Sequence, residues 1–279
     1  MEGMKSSWLL VVMSTAITPA QTAPDSPAGP SSISEIFNSG FTTQTALASS
    51  PPLSYTVAHF PYGQGWSTRI TLANGGKSDA TVNMTFFNPA GAPTLVPLEG
   101  LGNQGSQQFV IHSNQTQVVG AELSQRANTN LQVAWATTSS TAPLNVFSLF
   151  DFGPNPPTIT GAVGAQSTAP SKSFRFPVSV GGPLSYNSGM ALSNPNGSQT
   201  IVTVNVLNAD GTVKGSFPET LPANGQTIFL LDQKMSFGST LFNGSVAVCA
   251  PQPVGLVAIG VEGGSSGLFT ISVATDPCP

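Results

Sequence analysis

From residue 55 onward, hydrophobic and polar residues alternate in short runs that turn-forming residues separate. In WSTRITLAN, which starts at Trp66, every second side chain falls on one face, and TVNMTFF, which starts at Thr81, alternates in the same way. Four further runs follow at close spacing: QFVIH, TQVVGAEL, LQVAWATT and LNVFSLFDF. A period of two predicts β-strands with one buried face. Many short strands between Asn-, Gly- and Pro-rich turns predict an all-β sandwich architecture.

The second half of the chain repeats the first. A shift of 120 residues superimposes identical residues at Leu72, Asn74, Ser78, Val82, Asn88, Gly91, Glu99, Leu101, Gly105 and Phe109 on Leu192, Asn194, Ser198, Val202, Asn208, Gly211, Glu219, Leu221, Gly225 and Phe229. Phe60-Pro61 recurs at Phe176-Pro177, VAWA matches VAVC, and PLNVFSLF matches PVGLVAIG. The matches are core-facing apolar residues and turn residues. We therefore predict two tandem Ig-like antiparallel β-sandwiches, module 1 at 55–165 and module 2 at 166–279.

The junction between the predicted modules is rich in Pro, Gly, Ala and Ser over residues 153–172. Residues 158–163 could still form a closing strand of module 1, and LFTISV from Leu268 would be its counterpart in module 2. Such a junction predicts few contacts between the modules and some hinge freedom.

The N-terminus has the features of a secretory signal peptide. Lys5 precedes the apolar run WLLVVM, and small residues offer a cleavage site after Ala20. The apolar run is too short for a membrane anchor, since spanning needs about 20 residues. We predict a signal peptide at 1–20 and a disordered leader at 21–54, because the leader has few large apolar residues. The predicted location is secreted or cell-surface, with no membrane insertion after cleavage.

Composition narrows the possible partners. Charged residues make up 7% of the chain, and the formal net charge is −4. The eight Lys and Arg residues are scattered, so the basic patch that nucleic acid requires is missing. Cys249 and Cys278 are the two cysteines. In an exported chain such a pair predicts a disulfide, which here would tie the C-terminal tail to a strand.

Motifs that could carry catalysis are weak. Gly76-Lys77-Ser78 resembles the end of a phosphate-binding loop, but a strand follows it where that loop needs a helix. His59 and His112 are too few for a zinc site. Either could join Asp79 or Asp151 in a Ser/His/Asp triad, although nothing in the sequence positions them. We therefore predict no enzyme, no catalytic residue, no metal and no cofactor.

Aromatic residues in Gly-rich loops are the strongest binding candidates. Tyr62, Trp66 and Tyr186 could stack on sugar rings, because such side chains offer an apolar face with a polar edge. Packing within the core or loops is the alternative for all three. Trp135 lies on the apolar face of its strand, so we predict that it packs between the sheets.

The two lines HFPYGQGWSTRITLANGGKSDATVNMTFFNPAG and MALSNPNGSQTIVTVNVLNADGTVKGSFPETLPANGQTIFLL resemble tandem Ig-like β-sandwich modules of exported bacterial proteins. Those modules share strands of the types TxIxLxNP, TVTVxxxxxDG and TLPAxGxTxFxL, and the resemblance covers most of residues 55–275. It implies an extracellular or surface role and brings no catalytic residues. We expect a non-catalytic adhesion or structural module whose partner is a cell-surface glycan or protein. A carbohydrate-binding protein is the alternative, and a secreted hydrolase is a more distant one.

Overall fold

The computed structural model describes residues 53–153, 158–263 and 267–278. The predicted signal peptide and nearly all of the predicted leader lie outside the described residues. Within them the fold is all-β, as predicted, with antiparallel strands and two short 3₁₀ turns at Leu123–Ala127 and Leu231–Gln233. No helix in this part of the chain is long and apolar enough to span a bilayer.

The N-terminal half contains ten strands in two four-stranded sheets and one added hairpin. The strands are β1 (Ser54–Tyr62), β2 (Trp66–Asn74), β3 (Ala80–Phe87), β4 (Val96–Leu98), β5 (Gly102–Gln104), β6 (Ser106–Ile111), β7 (Gln115–Gly120), β8 (Gln132–Ser140), β9 (Asn145–Phe152) and β10 (Gly161–Ser167). The sheets run in the orders β1-β8-β3-β6 and β10-β9-β2-β7, and β4 pairs with β5. Alternating residues of both sheets meet in one apolar core that includes Phe60, Ile70, Leu72, Met84 and Phe86.

The C-terminal half contains seven strands. They are β11 (Ser171–Val180), β12 (Tyr186–Ser193), β13 (Thr200–Asn208), β14 (Val213–Leu221), β15 (Gln226–Leu230), β16 (Phe242–Glu262) and β17 (Gly267–Thr270). The 21-residue strand β16 pairs with β11 and β13 along its first part and with β12 and β17 along its second. A second apolar core contains Phe174, Phe176, Leu192, Val204 and Leu256.

The strand order of the first half recurs in the second. The row β1-β8-β3-β6 corresponds to β11, the first part of β16, β13 and β14. The row β10-β9-β2-β7 corresponds to β17, the second part of β16, β12 and β15. The predicted closing strands are present at nearly the predicted places, as β10 and β17. Each described strand pairs only with strands of its own half. The boundary between the halves therefore lies between the end of β10 and the start of β11.

The predicted shift of 120 residues holds only as far as Gly91. Ala80 lies opposite Ile111 in the ladder of β3 and β6, and Thr200, its equivalent at a shift of 120, lies opposite Leu221 in the ladder of β13 and β14. Ile111 and Leu221 are therefore equivalent, at a shift of 110 residues. The hairpin β4–β5 is an insertion in the first half, so the four matches that follow it are wrong. These are the matches of Glu99, Leu101, Gly105 and Phe109 with Glu219, Leu221, Gly225 and Phe229.

The two halves pack closely, so the expectation of few contacts between them is wrong. A third apolar cluster joins them, with Ala58, Trp66, Phe150, Val163 and Ala165 from the first half and Ala191, Val257 and Ile259 from the second. Trp66 and Phe150 lie on the core-facing side of β2 and β9, but near an end that the first core does not reach. The side of β12 and β16 that faces away from the second core packs over this end. We call this contact the inter-half interface.

Hydrogen bonds fix the inter-half interface at one end. The indole N–H of Trp135 donates to the carbonyl of Asn224 at 3.0 Å, and the N–H of Gln226 donates to the carbonyl of Pro89 at 2.9 Å. At Gly91, with φ of +91°, an added Cβ would collide with the carbonyl of Ala223. Trp135 is thus buried where the halves meet, and not between the two sheets of its own half as predicted.

The predicted disulfide between Cys249 and Cys278 is present. Cys249 lies on β16, and the tail that carries Cys278 first forms a backbone bridge between Ala274 and Arg175 on the edge strand β11. Ile271, at the start of the tail, is buried in the second core. The disulfide therefore holds the tail across the edge of the sheet.

Candidate functional site

The predicted sugar-stacking residues are mostly buried. Trp66 is 2% exposed and packs against Phe152 in the inter-half interface, with ring centroids 5.1 Å apart. Tyr62 is 8% exposed and belongs to the first core. Burial raises the pKa of its hydroxyl. Neither ring presents a face to solvent, so the burial of these two residues favours the alternative that they pack within the fold.

Tyr186 differs from the other two candidates because it stays partly exposed. It opens β12 as Trp66 opens β2, and each follows a tight turn closed by a backbone bridge, to Gly181 and Gly63 respectively. Its ring contacts Phe269 edge-on, at 6.3 Å between centroids. The structure thus places Trp66 and Tyr186 at equivalent positions of the two halves and does not bring the three rings together.

His59 lies inside the inter-half interface at 6% exposure. Its ring tilts against Phe150, with centroids 5.5 Å apart, and its Nδ1 lies 3.5 Å from the amide nitrogen of Gln226. Burial lowers the pKa of His59 from 6.5 to about 4. A neutral imidazole that accepts from an amide at Nδ1 fits this environment, and its role is packing between the halves.

His112 forms an exposed pair with Asp79, with Nδ1 and Oδ2 2.8 Å apart. Hydrogen bonds from His112 and from the backbone of Ser113 lower the pKa of Asp79. The hydroxyl of Ser113 donates to the carbonyl of Gly76 at 2.8 Å. The pair therefore ties the β6–β7 turn to the β2–β3 loop, and its serine is engaged with the backbone.

Asp151, the other acid proposed for a triad, is buried beneath two arginines. Its Oδ2 lies 2.6 Å from Arg69 and 3.4 Å from Arg126, and Asp151 and Arg126 are almost fully buried. Desolvation lowers the pKa of Arg126, although the charge of Asp151 opposes that effect. Arg126 belongs to the 3₁₀ turn in the loop that connects β7 to β8. This ionic cluster therefore holds that loop against the outer face of β2 and β9. The sequence analysis missed it, because Arg69, Arg126 and Asp151 share no local motif.

The GGKS stretch lies in a loop between two strands, as expected. The side-chain oxygen of Asn74 accepts from the N–H of Gly76 at 2.9 Å, while its amide donates to the carbonyl of Ser78 at 2.8 Å. Asn194 makes the same contacts with Asn196 and with Ser198 in the second half. The Asn side chain closes the loop in both copies, so the residues that recur are those that shape the turn.

A shallow polar cleft of about 330 Å³ is lined by Asn128, Thr129, Asn130 and Gln132. The lining consists of amides and a hydroxyl and carries no titratable group. Among residues 53–153, 158–263 and 267–278, no three His, Cys, Asp or Glu side chains converge as metal ligands.

The chain matches no known protein family, and no curated protein is significantly similar to it. The resemblance to Ig-like modules of exported bacterial proteins therefore stays a prediction.

Proposed function

We propose that the protein is a non-catalytic, exported β-sandwich protein that acts as an extracellular or cell-surface adhesion or structural module. The observation that carries the proposal is the inter-half interface, in which apolar side chains and backbone hydrogen bonds join the two halves. Large apolar contacts between domains oppose relative motion. A module that keeps a fixed shape suits a spacer or an adhesive surface.

Two further observations support this proposal. The disulfide that holds the C-terminal tail suits an oxidising compartment. The side chains that might have served catalysis are engaged in the fold, since Asp151 neutralises arginines and Ser113 donates to a backbone carbonyl. The partner we propose is a glycan or a protein of a cell surface.

Export is tested on the protein recovered from the organism that encodes it. Fractionation followed by mass spectrometry of the N-terminus should find the chain at the cell surface or in the medium, cleaved after Ala20. A chain that retains Met1 and stays in the cytoplasmic fraction would overturn the proposal.

The kind of partner is tested by screening the purified protein on a glycan array and on intact cells. Adhesion to cells without binding to any glycan would favour a protein partner, and no binding in either assay would favour a purely structural role. Saturable binding to one polysaccharide that Tyr186→Ala abolishes would instead favour the carbohydrate-binding alternative. A control at an exposed apolar residue near Tyr186 is Leu184→Ala, which should leave glycan binding unchanged.

A further inference from the structure

Strand β6 ends the sheet β1-β8-β3-β6. The direction of its backbone groups follows from β3. The carbonyl of Thr81 accepts from Thr141 on the β8 side, whereas the N–H of Phe86 donates to Gly105 on the β6 side. Backbone groups alternate in direction along a strand, so even-numbered residues of β3 face β6. Their partners in β6 are odd-numbered residues, such as Phe109 opposite Val82, so the odd-numbered residues of β6 point their backbone groups toward β3. The backbone N–H and C=O groups of Ser106, Gln108 and Val110 therefore point away from the sheet.

Nothing in the described part of the chain hydrogen-bonds to these outward backbone groups. All three residues are exposed, and the side chain of Gln108 donates sideways to Asn83 at 2.7 Å. Residues 100–121 contain no Asp, Glu, Lys or Arg. Natural edge strands are normally guarded by charges, prolines or bulges. Strand β6 has none of these guards.

The equivalent edge of the second half is guarded. In the two ladders, Asn83 lies opposite Gln108 and Thr203 lies opposite Pro218. Asn83 and Thr203 are equivalent at the shift of 120 residues, so Pro218 takes the place of Gln108. Proline has no N–H to donate and is tolerated where that N–H would face solvent. Pro218 thus closes the edge at the central outward position, which Gln108 leaves open.

The remaining edge strands are covered or have outward groups engaged. Strand β11 pairs with the tail through Arg175 and Ala274, and β1 lies on β12 and β16. Strands β10 and β17 lie against each other. On β7 the carbonyls of Val118 and Gly120 accept hydrogen bonds, although the outward N–H groups of Thr116 and Val118 have no partner within the described residues, and on β15 the N–H of Gln226 donates to the first half. Strands β6 and β7 both lie in the uncharged stretch, and of the two it is β6 whose outward carbonyls accept no hydrogen bond within the described residues.

We propose that β6 pairs antiparallel with β6 of a second copy of this chain, continuing the sheet across a two-fold axis. With the axis at Gln108, each Gln108 faces its own copy and Ser106 faces Val110. Each outward N–H of one copy then faces an outward C=O of the other, and no like charges lie opposite each other because β6 is uncharged. Pro218 closes the equivalent edge of the second half, so the proposed contact uses one strand, β6, of each chain. An isologous pair closes on itself, so the assembly stops at a dimer and does not extend into a filament.

The test is sedimentation equilibrium of the full chain from about 1 to 200 µM, a range that covers the weak affinities expected of small interfaces. The wild type should show a reversible monomer–dimer equilibrium. Gln108→Pro introduces the guard of the second half and should raise the dissociation constant at least about tenfold, because it removes the central N–H from both copies. Its circular dichroism spectrum should be unchanged, since that N–H makes no bond to β3.

Two matched variants separate backbone pairing from other causes. Gln108→Thr keeps the N–H and should dimerise within about threefold of wild type, because side-chain changes at an exposed strand position have small effects. Pro218→Gln opens the second edge and should produce species larger than dimers. The proposal is overturned if the wild type is monomeric at 200 µM, if Gln108→Pro dimerises like wild type, or if Gln108→Thr is as monomeric as Gln108→Pro.

Hydrogen exchange of the wild-type protein gives an independent test that needs no variant. The amide hydrogens of Ser106, Gln108 and Val110 should exchange freely in dilute solution and become protected at high concentration. Those of Gln107 and Phe109, which donate to β3, should be protected at both concentrations. A dimer that forms without new protection at the three outward amides would use another surface, and the inference would fail.

Discussion

Acidification should weaken the protein through His59, the buried imidazole of the inter-half interface. Its ring contacts Phe150 on β9 and the amide of Gln226 on β15, and neither neighbour titrates. Burial lowers the pKa of His59 from 6.5 to about 4, so the folded protein holds the imidazole neutral at neutral pH. A proton at Nδ1 would oppose the N–H group of Gln226 and would place a charge among apolar side chains.

The sign and size of the effect follow from linkage. The unfolded chain binds a proton at His59 below about pH 6.5, whereas the folded protein binds it only below about pH 4. Between these values the unfolded state binds more protons, and the free energy of unfolding therefore rises with pH. The contribution is fully present above pH 6.5 and is lost as the pH falls to about 4. At 1.36 kcal/mol per pH unit, this interval amounts to about 3 kcal/mol.

Urea unfolding at pH 7 and at pH 4 measures the loss, and fluorescence can follow it because Trp66 and Trp135 are buried where the halves meet. His59→Phe keeps an aromatic ring and cannot titrate, so its loss of stability on acidification should be about 3 kcal/mol smaller than that of wild type. His112→Gln is the control; because its pair with Asp79 is exposed, this variant should lose nearly as much stability on acidification as wild type. If His59→Phe also loses as much as wild type, the assignment to His59 is refuted.

Three other changes test the buried contacts. Asp151→Asn should destabilise the protein by about 3–5 kcal/mol in urea unfolding, because it leaves Arg126 buried without a carboxylate; an effect below about 1 kcal/mol would mean that water reaches the cluster. Trp66→Ala should lower the free energy of unfolding by about 3–5 kcal/mol in the same assay. Leu184→Ala, at an exposed leucine, should lower it little; equal losses would contradict the burial of Trp66 in the inter-half interface. Cys278→Ser should lower stability by about 3–4 kcal/mol, from the entropy of a loop with a sequence separation of 29. Reactive thiols in the untreated, denatured wild type would show that the disulfide had not formed.

The strands were predictable because each carries its own pattern. In β2, Thr68, Ile70 and Leu72 are buried while the residues between them are less so, as alternation predicts. Alternation also placed Trp66 on this apolar face. It could not show what covers that end of the face, because the covering residues, such as Val257, lie far away along the chain. A local pattern determines which side of a strand is buried, and the partner surface is determined by the packing of whole sheets.

The burial of Tyr62 and Trp66 was hidden from the sequence for this same reason. Aromatic residues beside Gly-rich loops are typical of binding loops, yet in this chain they serve as packing groups wherever a second surface covers them. Tyr186 keeps some exposure at the start of β12, while Trp66, at the equivalent place on β2, is buried by the other half. The sequence alone could not distinguish these two fates, because both residues follow a Gly-containing turn at the start of a strand.

The open edge of β6 was hidden in the sequence by the repeat itself. A gapless shift of 120 residues aligns Gln108 with Ile228, and only the strand pairing shows that its true counterpart is Pro218. The inserted hairpin β4–β5 is what moves the register from 120 to 110. Once the two positions are aligned, the second half has a proline where β6 has an outward backbone N–H. This asymmetry is the condition under which a tandem β protein can pair with its own kind and still avoid growing into a fibre.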